Sequence, residues 1–326
     1  MSKPNISVVV PAYNAEKTIG LCLDSILRQN YPQDKMEVLV VDNNSVDSTA
    51  EIIKSYPVTY LFEDKIQSPS GARNKGIVNA RHGLIAFIDS DCIADEHWLA
   101  NGITSLDDES VGAVGGKILA YKPETYIEEY QDRSGVLWHV VSDEAHARRE
   151  ARLVTANAFF RKDVFDTLGL FDLRYKGAGE DTDICYAMLR HTNYKLTYNE
   201  HALVWHKHRT NLRQFCKQYV RYGYNNMFLD QKFYPEIVNE MHESADNHGV
   251  LRTFYWRFLY RETCRECCAV FSAMGRYFTS FKRADKTALF DSVLFALSKI
   301  AFVRGEIRAF KEIRAAREKL TEDIRP

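Results

Sequence analysis

Short apolar runs, each followed by a stretch with apolar residues at helical spacing, constrain this chain more than any other feature. ISVVV (6–10), MEVLVV (36–41), VTYLF (58–62), LIAFI (84–88) and VGAVGG (111–116) are strand-length and strand-like in composition. Between the first two, residues 15–29 place Ile19, Cys22, Leu23, Ile26 and Leu27 on one stripe, as a helix against a sheet requires. SVDSTAEIIKSY (45–56) carries capping residues ahead of a short helix, and further helices are expected near 71–81 and 95–107. Strands alternating with helices at this rhythm imply crossover units. The expected fold is therefore α/β, a mostly parallel sheet with helices on both faces.

After about residue 117 the rhythm loosens. Residues 121–152 read as helical and charged, flanking a cleft. VTANAFFRKDVFDTLGLFD (154–172), the loop KGAGEDTDICYAML (176–189) and a strand-like LTYNEHALVWHKH (196–208) follow. From 211 onward the chain is rich in aromatics, arginine and helix formers, so a boundary is expected near 212, with a helical extension over 213–326.

Composition narrows the class. With 45% hydrophobic and 27% charged residues, the 326-residue chain has an ordinary globular balance. A formal net charge of −1 argues against a nucleic-acid binder with a basic surface throughout. Seven cysteines in no framework spacing point to a reducing compartment. Cys264, Cys267 and Cys268 stand at i, i+3, i+4 with no second pair to complete a zinc site, and read as one packed helix face. The opening MSKPNISVVVPAYN has an apolar run too short for a signal-peptide core, and no stretch approaches 18 uncharged apolar residues. The expectation is a cytoplasmic protein. Residues 299–319 carry seven basic and three acidic residues, with Ile300, Val303, Ile307, Phe310 and Ile313 at helical spacing. That pattern suits a helix packed on the protein or on a partner, or a peripheral contact with the inner membrane face.

IAFIDSDC (85–92) raises the functional question: an apolar strand runs into Asp89 and Asp91. In an extended segment, positions i and i+2 point the same way. Both carboxylates would then leave the carboxyl end of a strand on one side, where open α/β sheets bind ligands. Taken alone, the pair reads equally as two solvated turn acids.

The neighbouring motifs decide between these. VVVPAYNAEKTI (8–19), VVDNNSVDST (40–49), GARNKG (71–76), FIDSDC (87–92), FRKDVFDTLGLFD (160–172), GAGEDTDICYAML (177–189) and ALVWHKHRTNLRQF (202–215) occur in that order. Together they resemble the family-2 glycosyltransferases over roughly residues 5–225. The resemblance implies a GT-A (Rossmann-like) catalytic domain over 1–212, with a nucleotide-binding half 1–117 and an acceptor-binding half 118–212. It implies a nucleotide-sugar donor, UDP-sugar favoured, held by Pro11, Ala12, Tyr13, Asp42, Asn43, Gly71, Arg73, Asp89, Ser90 and Asp91. The family often has a second Asp where this chain has Asn43. Arg73 brings a planar cation suited to phosphate or ribose oxygens. By the same resemblance Asp89 faces ribose or metal, and Asp91 binds Mn²⁺ or Mg²⁺. His206, or His208 on the same strand face, is a further ligand, and an imidazole tilts the choice toward Mn²⁺. Asp181 matches the general base of an inverting transfer, beside like-charged Glu180 and Asp183. Asn157, Glu180 and Asp181 line the acceptor side. The acceptor itself, a lipid-linked glycan, a protein or a small molecule, stays open.

Two other classes compete. A sugar nucleotidyltransferase would need a glycine-rich, lysine-containing phosphate loop after the first strand, where this chain has PAYNAEKTIG. A nucleotide-sugar-binding protein without turnover would not need the D-S-D, E-D and W-H segments together.

Overall fold

The apolar runs become an eight-stranded sheet in a computed structural model that describes residues 3–175, 177–251, 253–254 and 283–322. The strands are β1 (Ile6–Ala12), β2 (Met36–Asp42), β3 (Thr59–Phe62), β4 (Leu84–Ile88), β5 (Cys92–Ala94), β6 (Val111–Ala120), β7 (Asn157–Arg161) and β8 (Lys195–His206). Their spatial order is β3-β2-β1-β4-β7-β6-β8-β5. β3, β2, β1 and β4 are parallel, as are β6 and β8, while β7 runs antiparallel to both neighbours and β5 antiparallel to β8. The carboxyl ends of β1, β2 and β4 thus share one edge of the sheet.

Alternation along the strands divides the core in two. Val8, Val10, Ala86 and Ile88 join one cluster with Ile19, Cys22, Leu23 and Ile26 of helix α1 (Ile19–Leu27). Val9, Leu39, Ile85 and Phe87 join the other. Helix α2 (Thr49–Lys54) follows β2, and α3 (Pro69–Asn79) returns to β4, with Ser68 capping its first turn through Gly71 N–H. A Cβ on Gly76 would lie 2.3 Å from Val9 Cγ1, so glycine lets α3 lie directly on β1.

Several expectations are corrected. The helix expected over 95–107 is only α4 (Trp98–Gly102) and a 3₁₀ turn over Thr104–Asp107. The charged stretch 121–152 is not one helix. It holds α5 (Tyr126–Arg133) and α6 (Asp143–Ala147), with left-handed backbone at Gly135 and Arg149 breaking the run. β7 emerges from NAFFR, which no alternation marked as a strand, because both its faces are buried. Phe159 packs on Trp98, ring centroids 5.1 Å apart, and Phe160 on Phe87 at 5.9 Å on the opposite face. Helices α7 (Lys162–Leu168) and α8 (Glu180–His191) cover that second face, through Val164, Phe165, Ile184, Cys185 and Met188.

Chain contacts divide the protein into units Met1–His208 and Arg209–Pro326. The second unit contains α9 (Leu212–Phe233), α10 (Pro235–His248) and a long helix, Arg283–Glu322. Gly223 and Gly305 let α9 and the long helix meet backbone to backbone; a Cβ on either would fall within 1.9 Å of a carbonyl oxygen. Tyr224, Met227, Val238, Met241, Phe254, Phe310 and Ile313 form its core, with Val303 and Ile307 packed against it. Four of the five apolar residues picked out in 299–319 therefore face the interior of this unit, and Ile300 is exposed. Among the described residues no helix is long and apolar enough to cross a membrane. Cys264, Cys267 and Cys268 lie outside the described residues.

Candidate active site

Loops at the carboxyl ends of β1 and β2 are laced together. Asn43 N–H donates to Ala12 O at 2.8 Å, Asn14 N–H to Ser45 Oγ at 3.0 Å, and Val46 N–H to Asn14 Oδ1 at 2.9 Å. Pro11 and Ala12 are the last residues of β1, Ala12 buried, while Tyr13 beyond them is 52% exposed. Asp42 is buried, accepting from Ser45 N–H and from the Tyr60 hydroxyl, each at 3.0 Å. Burial, and then Asp42 itself, push the Tyr60 phenol up to about 12. Asn43 does work that the sequence reading did not foresee. Its Nδ2 donates to the carbonyls of Glu63 (3.1 Å) and Ile66 (2.8 Å), holding the loop that leads into α3. Gly71 sits beneath the same loop, where a Cβ would lie 2.6 Å from Ile66 O.

The acids of the D-S-D segment part company. Cys92 N–H donates to Asp89 O at 2.9 Å, so residues 89–92 form a β-turn rather than the extended segment that would aim both carboxylates the same way. Asp89 turns to Arg73, Oδ1 to Nη2 at 2.7 Å. Arg73, buried on α3, also holds Glu180 at the start of α8, Nη1 to Oε1 at 2.6 Å. One guanidinium thus ties the D-S-D turn to the E-D segment. Among the described residues, Arg73 Nε, Glu180 Oε2 and Ser70 Oγ are buried without a hydrogen-bond partner.

Asp181 follows on the first turn of α8. Its Oδ1 accepts from Thr182 N–H at 2.8 Å and its Oδ2 from Thr155 N–H at 3.4 Å. Burial raises its proton affinity above that of an ordinary carboxylate, against the pull of Arg73. Burial likewise lifts Glu180 to about 7, outweighing the Arg73 charge, with Asp181 adding to the rise. Asp183 leaves the group, accepting from the Tyr175 hydroxyl at 3.0 Å.

Asp91 faces β8 instead. β5 pairs Cys92 with His206, and Lys207 N–H donates to Asp91 O at 2.9 Å. His206 Nε2 lies 3.4 Å from Asp91 Oδ1. Asp91, Cys92 and His206 each offer one ligand atom, all within 4.8 Å of one another, a spacing that a cation can bridge. Asp89 is outside this trio. The Cys92 thiol is pushed well above its ordinary pKa, by burial first and then by Asp91 and Asp89. His208, the alternative ligand, stands behind His206, the two Nδ1 atoms 3.2 Å apart.

Asn157 is the clear misplacement. Its side chain is fully buried, Oδ1 accepting from Trp98 Nε1 at 2.8 Å and Nδ2 donating to Lys117 O (2.9 Å) and Ala202 O (2.8 Å). With its amide committed to the core, it joins β7 to β6, β8 and α4. The sequence reading also passed over His139. Its Nε2–H donates to Gly116 O at 2.7 Å while Nδ1 accepts from Val154 N–H at 3.0 Å, and burial lowers its pKa to about 4. Nothing in the spacing of Cys92, or of Asp132, whose Oδ1 lies 4.0 Å from His208 Nε2, marked either as a neighbour of the histidines.

The family described as Glycosyl transferase family 2 matches residues 7–169. The glycosyltransferase AglE of Haloferax volcanii is 35% identical over 175 residues, which is 52% of this chain and 56% of that protein. The chain thus spans little more than half the length of that relative. The dolichyl N-acetyl-alpha-D-glucosaminyl phosphate 3-beta-D-2,3-diacetamido-2,3-dideoxy-beta-D-glucuronosyltransferase of Methanococcus voltae is 24% identical, covering 72% of this chain and 76% of its own. Among solved structures, the mannosyltransferase PcManGT of Pyrobaculum calidifontis, in complex with GDP-Man and Mn²⁺, superposes with a TM-score of 0.60 at 20% identity. That match covers 93% of this chain and 88% of the other and establishes a shared GT-A fold. A sheet that gathers the D-S-D turn, the Arg73 bridge and the E-D helix start, matched by the family over half the chain, makes this protein a member of glycosyltransferase family 2.

Proposed function

We propose that the protein moves a sugar from a nucleoside-diphosphate sugar to an acceptor hydroxyl, with inversion at the anomeric carbon. The observation that carries this reading is the Asp89–Arg73–Glu180 bridge, at 2.7 and 2.6 Å, which joins the D-S-D turn to the helix start bearing Asp181. The laced β1 and β2 loops, with Pro11, Ala12, Tyr13, Asp42 and Asn43, form the nucleotide side within residues 1–117. Gly71, Arg73, Asp89, Ser90 and Asp91 continue that wall toward the diphosphate. Residues 118–212 supply the acceptor side, through Glu180 and Asp181.

Asp91 and His206 would hold a divalent cation, and a carboxylate with an imidazole suits Mn²⁺. When bound, such a cation neutralises the diphosphate and polarises the leaving group. Asp181 takes the acceptor proton as the new bond forms, and the rise in its proton affinity on burial fits that task. Glu180 and Arg73 hold Asp181's helix start in place and keep a cationic charge beside it.

A UDP-sugar is the first donor to test, with GDP-mannose, the donor in the Pyrobaculum calidifontis complex, as its rival. The name of the Methanococcus voltae relative points to a lipid-linked glycan as the acceptor class. Asp181→Asn separates an enzyme from a binder. Nucleotide-sugar affinity should survive, while transfer falls about 10²–10⁴-fold. Near-normal transfer by the variant would remove Asp181 from the mechanism.

A further inference from the structure

Behind Asp91 and His206 lies a chain of polar groups that the transfer reaction does not itself use. His206 Nε2 is 3.4 Å from Asp91 Oδ1, His206 Nδ1 is 3.2 Å from His208 Nδ1, and His208 Nε2 is 4.0 Å from Asp132 Oδ1. Both rings are buried, 4.9 Å apart and inclined at 52°. Asp132, on α5, is anchored in turn by Ala120 N–H at 2.9 Å. Backbone bonds hold the near end: Tyr121 N–H donates to His206 O, and Lys207 N–H to Asp91 O, each at 2.9 Å.

We infer that His208 is a positioning residue that sets the tautomer and orientation of His206, presenting a bare Nε2 to a cation shared with Asp91. The inference rests on the metal reading given above. The two Nδ1 atoms need one hydrogen between them, since two lone pairs or two N–H groups at 3.2 Å repel. If His206 supplies it, its Nε2 is bare beside Asp91. If His208 supplies it, the hydrogen of a neutral His206 sits on Nε2 instead. A cation between Asp91 and His206 requires the first arrangement, because the second leaves it no nitrogen to bind. An imidazole ligand that donates its other N–H is also a better base toward the metal.

The test is Mn²⁺ binding by the full chain, read from the free-Mn²⁺ electron paramagnetic resonance signal without nucleotide. Folding of each variant is checked by its thermal melt. His206→Ala should abolish binding. His208→Ala should weaken it about 10–100-fold, as loss of an outer partner does. His208→Asn, which keeps an acceptor near the Nδ1 position, should recover most of that loss, and Asp132→Asn should weaken binding less than His208→Ala. Affinity of His208→Ala within twofold of the parent would overturn the inference. So would complete loss in both His208→Ala and His208→Asn, which would make His208 a ligand. Should His208→Ala fail to fold, His208→Leu decides: affinity within twofold of the parent rejects the inference. Undiminished binding by His206→Ala would instead refute the metal reading, and this inference with it.

Discussion

Removing the Arg73 charge should injure stability in a way that depends on pH. Arg73 is buried and pairs with Asp89 and Glu180, with Asp181 close enough to feel its charge. Arg73→Met keeps much of the side-chain volume but leaves these carboxylates without their cation. Breaking a buried pair by removing one partner costs on the order of 3–5 kcal/mol. For a unit of this size, 1 kcal/mol moves Tm by about 2–4 °C, so the loss at pH 8 should be roughly 6–20 °C. The sign with pH follows from Glu180, whose folded-state pKa is raised to about 7. A raised carboxyl contributes stability that is fully present below its unfolded value and is lost as pH rises through the folded one. The parent should therefore lose part of its stability between about pH 4.5 and 7. Arg73→Met should lose more, over a window extending to higher pH, because the cation that held Glu180 down is gone. Arg73→Met combined with Glu180→Gln should regain part of the loss at pH 8. Calorimetric melts at pH 5.5 and pH 8 read all of this. A variant within 2 °C (about 1 kcal/mol) of the parent at pH 8, or a loss equal at both pH values, would refute the bridge as drawn.

Three further outcomes follow from the same geometry. Asp91→Ala should abolish the Mn²⁺ enhancement of nucleoside-diphosphate binding, measured calorimetrically, while Asp89→Ala should leave a residual Mn²⁺ effect because Asp89 is turned to Arg73. Asn157→Ala leaves Trp98 Nε1 and the Ala202 carbonyl, both buried, and the part-buried Lys117 carbonyl without the Asn157 amide, at about 1–3 kcal/mol for each buried group. A chemical-denaturation curve unchanged by that substitution would contradict the placement of Asn157 in the core. In liposome flotation at low salt, anionic vesicles should retain little of the protein through residues 299–319, since that stripe is largely spent inside its own unit. Strong salt-sensitive flotation, lost when Ile300 is changed to Asp, would restore the membrane reading for this helix.

What the residues alone determined is what local chemistry repeats. The strand cores, the helix after β1 and the order of motifs follow from periodicity and from turn residues that act over a few positions. Tertiary structure decided everything that depends on groups distant in the chain. β7 lay hidden because a strand buried on both faces has no alternation to show, and its reversed direction follows from its partners. Asp89 and Asp91 looked like a matched pair because they are two residues apart. The turn separates them, since Arg73 attracts one carboxylate and the end of β8 presents His206 to the other. Asn157 read as an acceptor-side residue by family resemblance. Its three hydrogen bonds reach residues 40 to 59 positions away, a reach that no local pattern encodes. The same holds for Asp132, an ordinary helix acid until folding sets it behind two histidines more than seventy positions further along the chain.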